Sequence, residues 1–292
     1  MDGLRSYLFE LEALGYLPAM FQYGFLINAL VAALMIGPLL GGMGSLVVIK
    51  RLAFFSEAVG HAALTGIAIG ILLGEPASHP FAALFSFCLI FALLLHWIKS
   101  RTAVPYDALV GVFLAVAIAM GAALLLYVAR KVNIHILENV LFGSILTVQD
   151  RDLAILAVIT VLCLVAMLRF GNRALVATLN PELARVRGIR VHLYDYAFVV
   201  LIALITVAAV KIAGAILVGA MLLIPATTAR LVTRNVHQFF WTNILLSTGC
   251  CIAGILLPML LELPVPTGAS IVLLASVGFV AAVGFNRLRA AR

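Results

Sequence analysis

Nine long apolar runs limit what this chain can fold into more strongly than any other feature of its sequence. They lie at 21–49, 54–74, 80–98, 107–128, 152–170, 195–212, 213–233, 239–261 and 268–286. A helix needs about 20 mainly apolar residues to cross the hydrocarbon core of a bilayer. Open-edged strands are excluded from lipid, and the runs lack the alternation of a membrane barrel. The sequence therefore predicts an all-α, polytopic membrane protein in which residues 1–292 form a single transmembrane domain.

The composition excludes a water-soluble fold. Of the 292 residues, 65% are hydrophobic and 11% are charged, whereas an ordinary soluble domain is about 25% charged. Too little polar surface is present for a globule in water or for a disordered chain. The four cysteines lie inside apolar runs without a CxxC spacing, which favours packing over metal or redox chemistry.

The distribution of basic residues predicts the orientation of the chain. If the N-terminus lies outside, fourteen Lys and Arg residues fall on the inner side and five on the outer side, so the positive-inside rule predicts N-out and C-in. The inner set is Lys50, Arg51, Lys99, Arg101, Arg169, Arg173, Arg185, Arg187, Arg190, Arg230, Arg234, Arg287, Arg289 and Arg292. The weakest division separates the sixth and seventh runs, where only Lys211 and Gly214 interrupt the apolar residues. Eight spans are therefore the alternative, although a model with eight spans could not keep every basic residue on the side of the membrane given above.

Two connecting segments are unusually long. The outer one, 129–151, has an apolar middle that is too short to span, which predicts a re-entrant-like segment lying against the bundle. The inner one, 171–194, is the most polar part of the chain. Asn180 can cap a short helix there, with Pro181 in its first position, Glu182 in its first turn and Gly188 at its end. We therefore expect a short basic helix on the cytoplasmic face.

Glu57 and His61 are the strongest candidates for chemistry inside the membrane, where ionisable groups are costly and usually functional. Their spacing of four places both side chains on one face of a helix. Counted from Lys50 and Arg51 at 1.5 Å per residue, they lie about 10 Å and 15 Å into the bilayer, so His61 is expected near the midplane. Imidazole and carboxylate suit zinc, manganese or iron(II), and two copies around a two-fold axis could form a four-coordinate site. The alternative is a Glu–His hydrogen bond that only stabilises packing.

Other ionisable residues give weaker signals. His79 could be an outer metal ligand, and His135 and Glu138 are three apart in the outer segment. Three further residues are expected to be snorkelling or surface groups at membrane edges, namely Lys211, His192 and His237. No Gly-rich phosphate loop, GxSxG or HExxH motif is present, so no motif for binding ATP is found.

Five segments together resemble the permease subunits of bacterial ABC importers for zinc, manganese and iron. The resemblance covers about residues 24 to 285. In chain order the segments are GPLLGGMGSLVVIKRLAFFSEAVGHAALTGIAIG, ENVLFGSILTVQDRDL, LNPELARVRGI, KIAGAILVGAMLLIPATTARL and PTGASIVLL. Each is weak alone, and the five in the right order are strong. The family usually carries Asp at the acidic position of the first segment, where this chain has Glu57.

The resemblance implies a membrane-spanning transporter subunit in the bacterial plasma (inner) membrane, and not an enzyme. Two permease copies, expected as a homodimer, would assemble with two cytoplasmic ATPase subunits and an extracytoplasmic metal-binding protein. This chain would bind no cofactor, and zinc is favoured as the cargo over manganese or iron. Glu57 and His61 would form a transient metal site on the dimer axis. The resemblance implies that Glu182 and Arg185 contact the ATPase. The residues to which it gives the role of coupling to the ATPase are Pro181, Glu182, Leu183, Ala184, Arg185 and Gly188.

Three other functions compete with this interpretation. A permease for an organic metal complex, of the siderophore or cobalamin type, would not need a His–carboxylate pair at mid-depth. An intramembrane metalloprotease would need a fuller set of ligands. A proton- or sodium-coupled carrier would show internal repeats and broken helices, which this sequence does not.

Overall fold

Ten α-helices make up most of the chain in a computed structural model that describes residues 6, 7, 12, 19–76, 80–129, 145–263 and 265–290. They are α1 (Gly24–Lys50), α2 (Phe55–Leu72), α3 (Phe81–Arg101), α4 (Tyr106–Ala129), α5 (Asp150–Leu179), α6 (Pro181–Val186), α7 (Val191–Ala213), α8 (Ala215–Val232), α9 (Val236–Leu260) and α10 (Thr267–Ala290). Within the described part of the chain, all but the short α6 are long and apolar enough to span a bilayer. The predicted all-α architecture with nine spans is confirmed.

Gly214 separates the sixth and seventh spans. Its φ of 86° and ψ of 155° lie in a region that glycine adopts without the steric cost of a side chain. The Gly214 N–H still donates to the Val210 carbonyl, so α7 is capped where it ends. The division at Lys211 to Gly214 therefore yields nine spans and not eight.

The inner connection is shorter than the predicted 171–194. α5 continues to Leu179, nine residues beyond the predicted end of the fifth span, and α7 begins at Val191. Ala177 is buried in the bundle, which stabilises the extra helical turns. Asn180 and Pro181 end α5, because a residue before proline is disfavoured in the helical conformation. Most of the outer segment 129–151 lies outside the described residues, which resume with a 3₁₀ turn at Ile145–Thr147.

Close helix contacts form the core around α1 and α2. α1 packs along α9, where the Asn243 side chain donates to the Gly41 carbonyl and, at 2.9 Å, to Ser45 Oγ. α2 packs against α3, α4, α7 and α8 and is the most buried of the spans within the described residues. The site-bearing helix therefore lies inside the bundle rather than at its lipid-facing edge.

Contacts at the helix ends show which ends share a face. Lys50, the last residue of α1, lies 2.6 Å from Asp195 in the second turn of α7. His96 near the end of α3 packs edge-on against Tyr196, with ring centres 4.5 Å apart. The ends of α1 and α3 therefore meet the start of α7 on one face, which the positive-inside rule makes the cytoplasmic face.

Candidate functional site

Glu57 and His61 are the only partly exposed side chains along the buried stretch of α2, and we call the surface that they form the opening on α2. From residue 55 to residue 68 every side chain is buried except these two, which are half-buried. They stand one turn apart on the same side of the helix, as their spacing predicts. A carboxylate and an imidazole are thus presented together from a helix whose other surfaces are covered by apolar neighbours.

The pair lies in the first two turns of its helix. α1 ends at Lys50, and residues 51–54 form a turn in which Arg51 adopts a left-handed conformation. α2 begins only at Phe55, so Glu57 lies in its first turn and His61 about 9 Å from its start, at 1.5 Å per residue.

α8 passes directly beside the pair, and sequence analysis did not place it there. A Cβ on Gly219 would lie 3.9 Å from the Glu57 Cβ, and one on Gly60 would lie 3.6 Å from the Ala215 Cβ. Small residues therefore bring the two helices close together. The sequence feature that could have indicated this close helix contact is the Gly–Ala pair that occurs at 214–215 and again at 219–220.

A stripe of partly exposed residues on α8 continues the opening. Its members recur at intervals of three or four and are Ile216, Ala220, Leu223, Thr227 and Arg230. Further along α2, the opening closes at Thr65, whose buried hydroxyl donates to the Ala117 carbonyl of α4 at 3.2 Å. Glu57 therefore lies beside a partly exposed stripe of α8.

The pair offers two groups of the kind that bind metal ions, one carboxylate and one imidazole. Within the residues that the structure describes, no three His, Cys, Asp or Glu side chains come together as a metal site. Tetrahedral zinc sites in proteins use three or four protein ligands. A closed coordination shell at this position therefore needs groups from beyond the described residues, from another chain or from water.

Three of the weaker candidates, namely His79, His135 and Glu138, lie outside the described residues. His192 and His237 are exposed, and His237 Nε2 accepts a hydrogen bond from the Trp241 indole at 3.2 Å. Neither histidine lies on α2 or α8, so neither belongs to the opening at Glu57 and His61.

Lys211 differs from the predicted snorkelling group. Its side chain is 19% exposed, and its ammonium lies 4.0 Å from Asp152 Oδ1 and 5.2 Å from the centre of the Phe81 ring. Asp152 at the start of α5 thus supplies a counter-charge that allows Lys211 to stay inside the bundle.

The short helix α6 is built as the sequence predicts. Asn180 Oδ1 accepts a hydrogen bond from the Leu183 N–H at 3.0 Å, and Pro181 occupies the first helical position. Gly188 follows the helix with a φ of 73°. Ala184 is buried, whereas Val186 is 86% exposed. α6 therefore packs on the bundle by one side and presents apolar and charged side chains on the other.

A cavity of about 520 Å³ opens beside α6 and the first turns of α7. Arg185 lines it from α6, and His192 and Tyr196 line it from α7. Together with the exposed side of α6 it forms an uneven, basic surface on the inner face.

The fold and these two regions define a polytopic helical membrane protein with an internal carboxylate–imidazole pair and a capped helix on its inner face. The chain belongs to the ABC 3 transport family, whose family profile matches residues 22–286. It is therefore a multi-pass membrane protein of an ABC transport family.

Individual relatives match over nearly their whole length. The chain is 28% identical over 264 residues to the manganese import system permease protein ScaB of Streptococcus gordonii, covering 90% of this chain and 92% of that protein. It is 28% identical over 268 residues to the high-affinity zinc uptake system membrane protein ZnuB of Haemophilus influenzae, covering 92% of this chain and all of that protein. Its fold matches the structure of PsaBC from Streptococcus pneumoniae in complex with Fab, with a TM-score of 0.77, 28% identity, and coverage of 89% of this chain and 91% of the other.

Proposed function

We propose that this chain is the membrane-spanning permease of an ATP-driven importer of divalent transition-metal ions, in which Glu57 and His61 bind the ion in transit. The observation that carries the proposal is the opening on α2, where only a carboxylate and an imidazole interrupt a buried apolar helix. Both groups bind zinc and manganese. The relatives named above include one manganese system and one zinc system.

Two ligand groups per chain suit a transit site. A weakly held ion is released easily, whereas a full set of four protein ligands would retain it. A second copy of the chain packed against the α8 stripe would bring two more groups and complete a site of two His and two carboxylates. Among the described residues, a Cβ on Gly219 would meet only the Glu57 Cβ within 4 Å, which supports such an approach.

ATP would be bound and hydrolysed by a separate ATPase subunit, and α6 would carry the motion into the membrane. Ala184 packs on the bundle, and the residues proposed to face the ATPase are Pro181, Glu182, Leu183, Arg185 and Gly188. The chain leads from α6 through a short turn into α7, where Asp195 binds Lys50 at the end of α1. Lys50 is followed by the turn that starts α2. A displacement of α6 can therefore reach Glu57 through one ion pair and one turn.

On the opposite face, an extracytoplasmic metal-binding protein would deliver the ion without its water shell. The Glu57 carboxylate offsets part of the positive charge of the ion, and the His61 imidazole supplies a neutral ligand. Closure of the ATPase subunits would then switch access from one side of the membrane to the other.

The experiment is ATP-dependent uptake of radioactive zinc and manganese into proteoliposomes that contain the permease, its ATPase and its binding protein. Glu57→Gln and His61→Ala are expected to abolish uptake, because each removes one ligand. Ile69→Ala is the matched control, since Ile69 is half-buried on the same helix and carries no ligand atom.

Assembly with the ATPase and basal ATP hydrolysis are measured in parallel, and both are expected to stay intact in all three variants. The metal taken up by the wild-type protein identifies the cargo. Normal uptake by both site variants would show that the pair is structural, and uptake of an organic metal complex alone would refute transport of a free ion.

A further inference from the structure

A second basic cavity lies on the inner face of the bundle, and it shares Arg230 with the partly exposed stripe of α8. Its volume is about 360 Å³, and it lies where α1, α5 and α8 end and α9 begins. Three arginines line it: Arg51 after α1, Arg230 at the end of α8 and Arg234 in the following turn. Ile49, Leu179 and Phe239 supply apolar walls.

Among the residues that the structure describes, no carboxylate offsets the charge of the three guanidinium groups. No carboxylate lines the cavity, and among the described residues none of the three arginines has an ion-pair partner. Like charges that converge on one cavity repel each other unless an anion binds between them. Arginine forks match the oxygen geometry of phosphate and bind it through paired hydrogen bonds.

The backbone holds these arginines in place. Arg51 has a φ of 58°, a conformation that favours glycine at the end of a helix, and its N–H donates to the Val48 carbonyl. A strained residue of this kind points to a functional constraint on its side chain. Asn235 Oδ1 accepts a hydrogen bond from the Gln238 N–H and caps α9, which fixes the turn that carries Arg234.

The location of the cavity indicates the kind of anion. It lies at the ends of four spans, on the face that the positive-inside rule makes cytoplasmic, and its walls combine basic and apolar side chains. Basic pockets between transmembrane helices on this side of a membrane are typical sites for anionic lipid headgroups. We propose that this cavity binds the phosphate group of an anionic phospholipid.

The bound lipid would adjoin the base of α6. Leu179 lines the cavity and directly precedes Asn180, the N-cap of that helix. An occupied cavity would therefore support α6 from the membrane side. An acidic surface of an ATPase subunit is the competing occupant, and the apolar walls at the membrane boundary favour the lipid.

The test is binding of phosphatidylglycerol and phosphatidylcholine to the full chain purified in detergent, measured by native mass spectrometry. The variant Arg51→Gln/Arg230→Gln/Arg234→Gln is expected to bind phosphatidylglycerol at least about tenfold more weakly than the wild-type chain. The control variant Arg101→Gln/Arg169→Gln/Arg173→Gln removes three other exposed arginines of the same face and is expected to bind normally. Phosphatidylcholine should bind weakly to all three proteins.

Two further measurements distinguish a lipid headgroup from free phosphate and from a surface of the ATPase. Inorganic phosphate is added as a competitor, and assembly with the ATPase is titrated for each variant. Equal phosphatidylglycerol binding by the wild type and the cavity variant would overturn the proposal. So would binding of inorganic phosphate without lipid, or a loss of ATPase assembly with lipid binding unchanged.

The single variant Arg234→Gln is the control for misfolding of the triple variant, because Arg234 is exposed in a turn and its replacement should not disturb the fold. It is expected to weaken lipid binding partially while the unfolding temperature of the protein stays unchanged. Because lipid binding is measured without transport, this proposal and the metal-transport proposal can fail independently.

Discussion

The ammonium group of Lys50 lies 2.6 Å from the Asp195 carboxylate and joins the last turn of α1 to the second turn of α7. The two side chains are 14% and 29% exposed, and the Lys50 ammonium also lies 5.2 Å from the centre of the Phe198 ring. The pair is the direct connection between the segment that follows α6 and the turn that leads to Glu57.

Neutralising either partner of this ion pair should weaken both stability and transport. Lys50→Met or Asp195→Asn is expected to lower the free energy of unfolding by about 1–2 kcal/mol, between the values for exposed and fully buried pairs. Thermal unfolding in detergent measures the first effect, and metal uptake per ATP hydrolysed measures the second.

The exchange variant Lys50→Asp/Asp195→Lys is the control for this prediction. It restores the attraction but not the contact with Phe198, so it should recover part of the loss. If the exchange variant loses as much unfolding free energy as the two single variants together, the two residues do not act as a pair.

Shortening the carboxylate arm at Glu57 should change the metal preference more than the rate. Glu57→Asp keeps the charge and withdraws the oxygens by one methylene, so uptake should persist. The ratio of zinc to manganese uptake is expected to change about two- to tenfold, which corresponds to up to about 1.4 kcal/mol of relative binding. Competition between the two metals in one vesicle preparation measures that ratio. An unchanged ratio would show that Glu57 does not contact the ion.

Two glycines of α9 should respond oppositely to alanine. A Cβ on Gly254 would lie 2.7 Å from the Ile271 Cα of α10, whereas a Cβ on Gly249 meets no atom within 4 Å. Gly254→Ala should therefore destabilise the protein by about 1–3 kcal/mol through overpacking. Gly249→Ala should be neutral or stabilise it by up to about 1 kcal/mol, because alanine favours the helix. Paired thermal unfolding curves test both, and equal shifts would contradict the packing of α9 on α10.

Removing the cap of α6 should weaken the contact with the ATPase. Asn180→Ala deletes the acceptor for the Leu183 N–H and costs about 1 kcal/mol of helix stability. If α6 must be formed to bind, the apparent affinity for the ATPase should fall about fivefold, since about 1.4 kcal/mol is tenfold. Titration of the reconstituted permease with the ATPase measures this affinity. The control variant Asn180→Asp keeps an acceptor and should bind the ATPase normally. Equal affinities of the wild type, Asn180→Ala and Asn180→Asp would show that α6 does not contribute to the contact with the ATPase.

Local signals in the sequence predicted most of the helical architecture. Apolar runs predicted nine spans, and the capping residues at 180, 181 and 188 predicted α6, because hydropathy and helix capping depend on neighbours in the chain. The same signals missed the extension of α5 to Leu179, where burial of Ala177 outweighs the polar residues nearby.

The arrangement around Glu57 and His61 depends on contacts between distant segments. Their shared face follows from spacing alone, but the turn at 51–54 and the approach of Gly219 do not. Lys211 and Asp152 are 59 residues apart, so no local pattern indicated that they lie together. Spacing along one helix therefore predicted the shared face of Glu57 and His61, whereas their neighbours on other helices could not be predicted.

The burial of α2 has a consequence for how the protein is made. Of the nine described spans, α2 is the least apolar, and it is also the most buried. The least apolar span gains the least free energy from entering lipid alone. We therefore expect α2 to depend on contacts with other helices for a stable position in the membrane. Its largest contacts are with α3 and α4, which are synthesised after it. During biosynthesis, α2 should therefore be retained at the insertion machinery until α4 has emerged, and its integration becomes a cooperative step in assembly of the bundle.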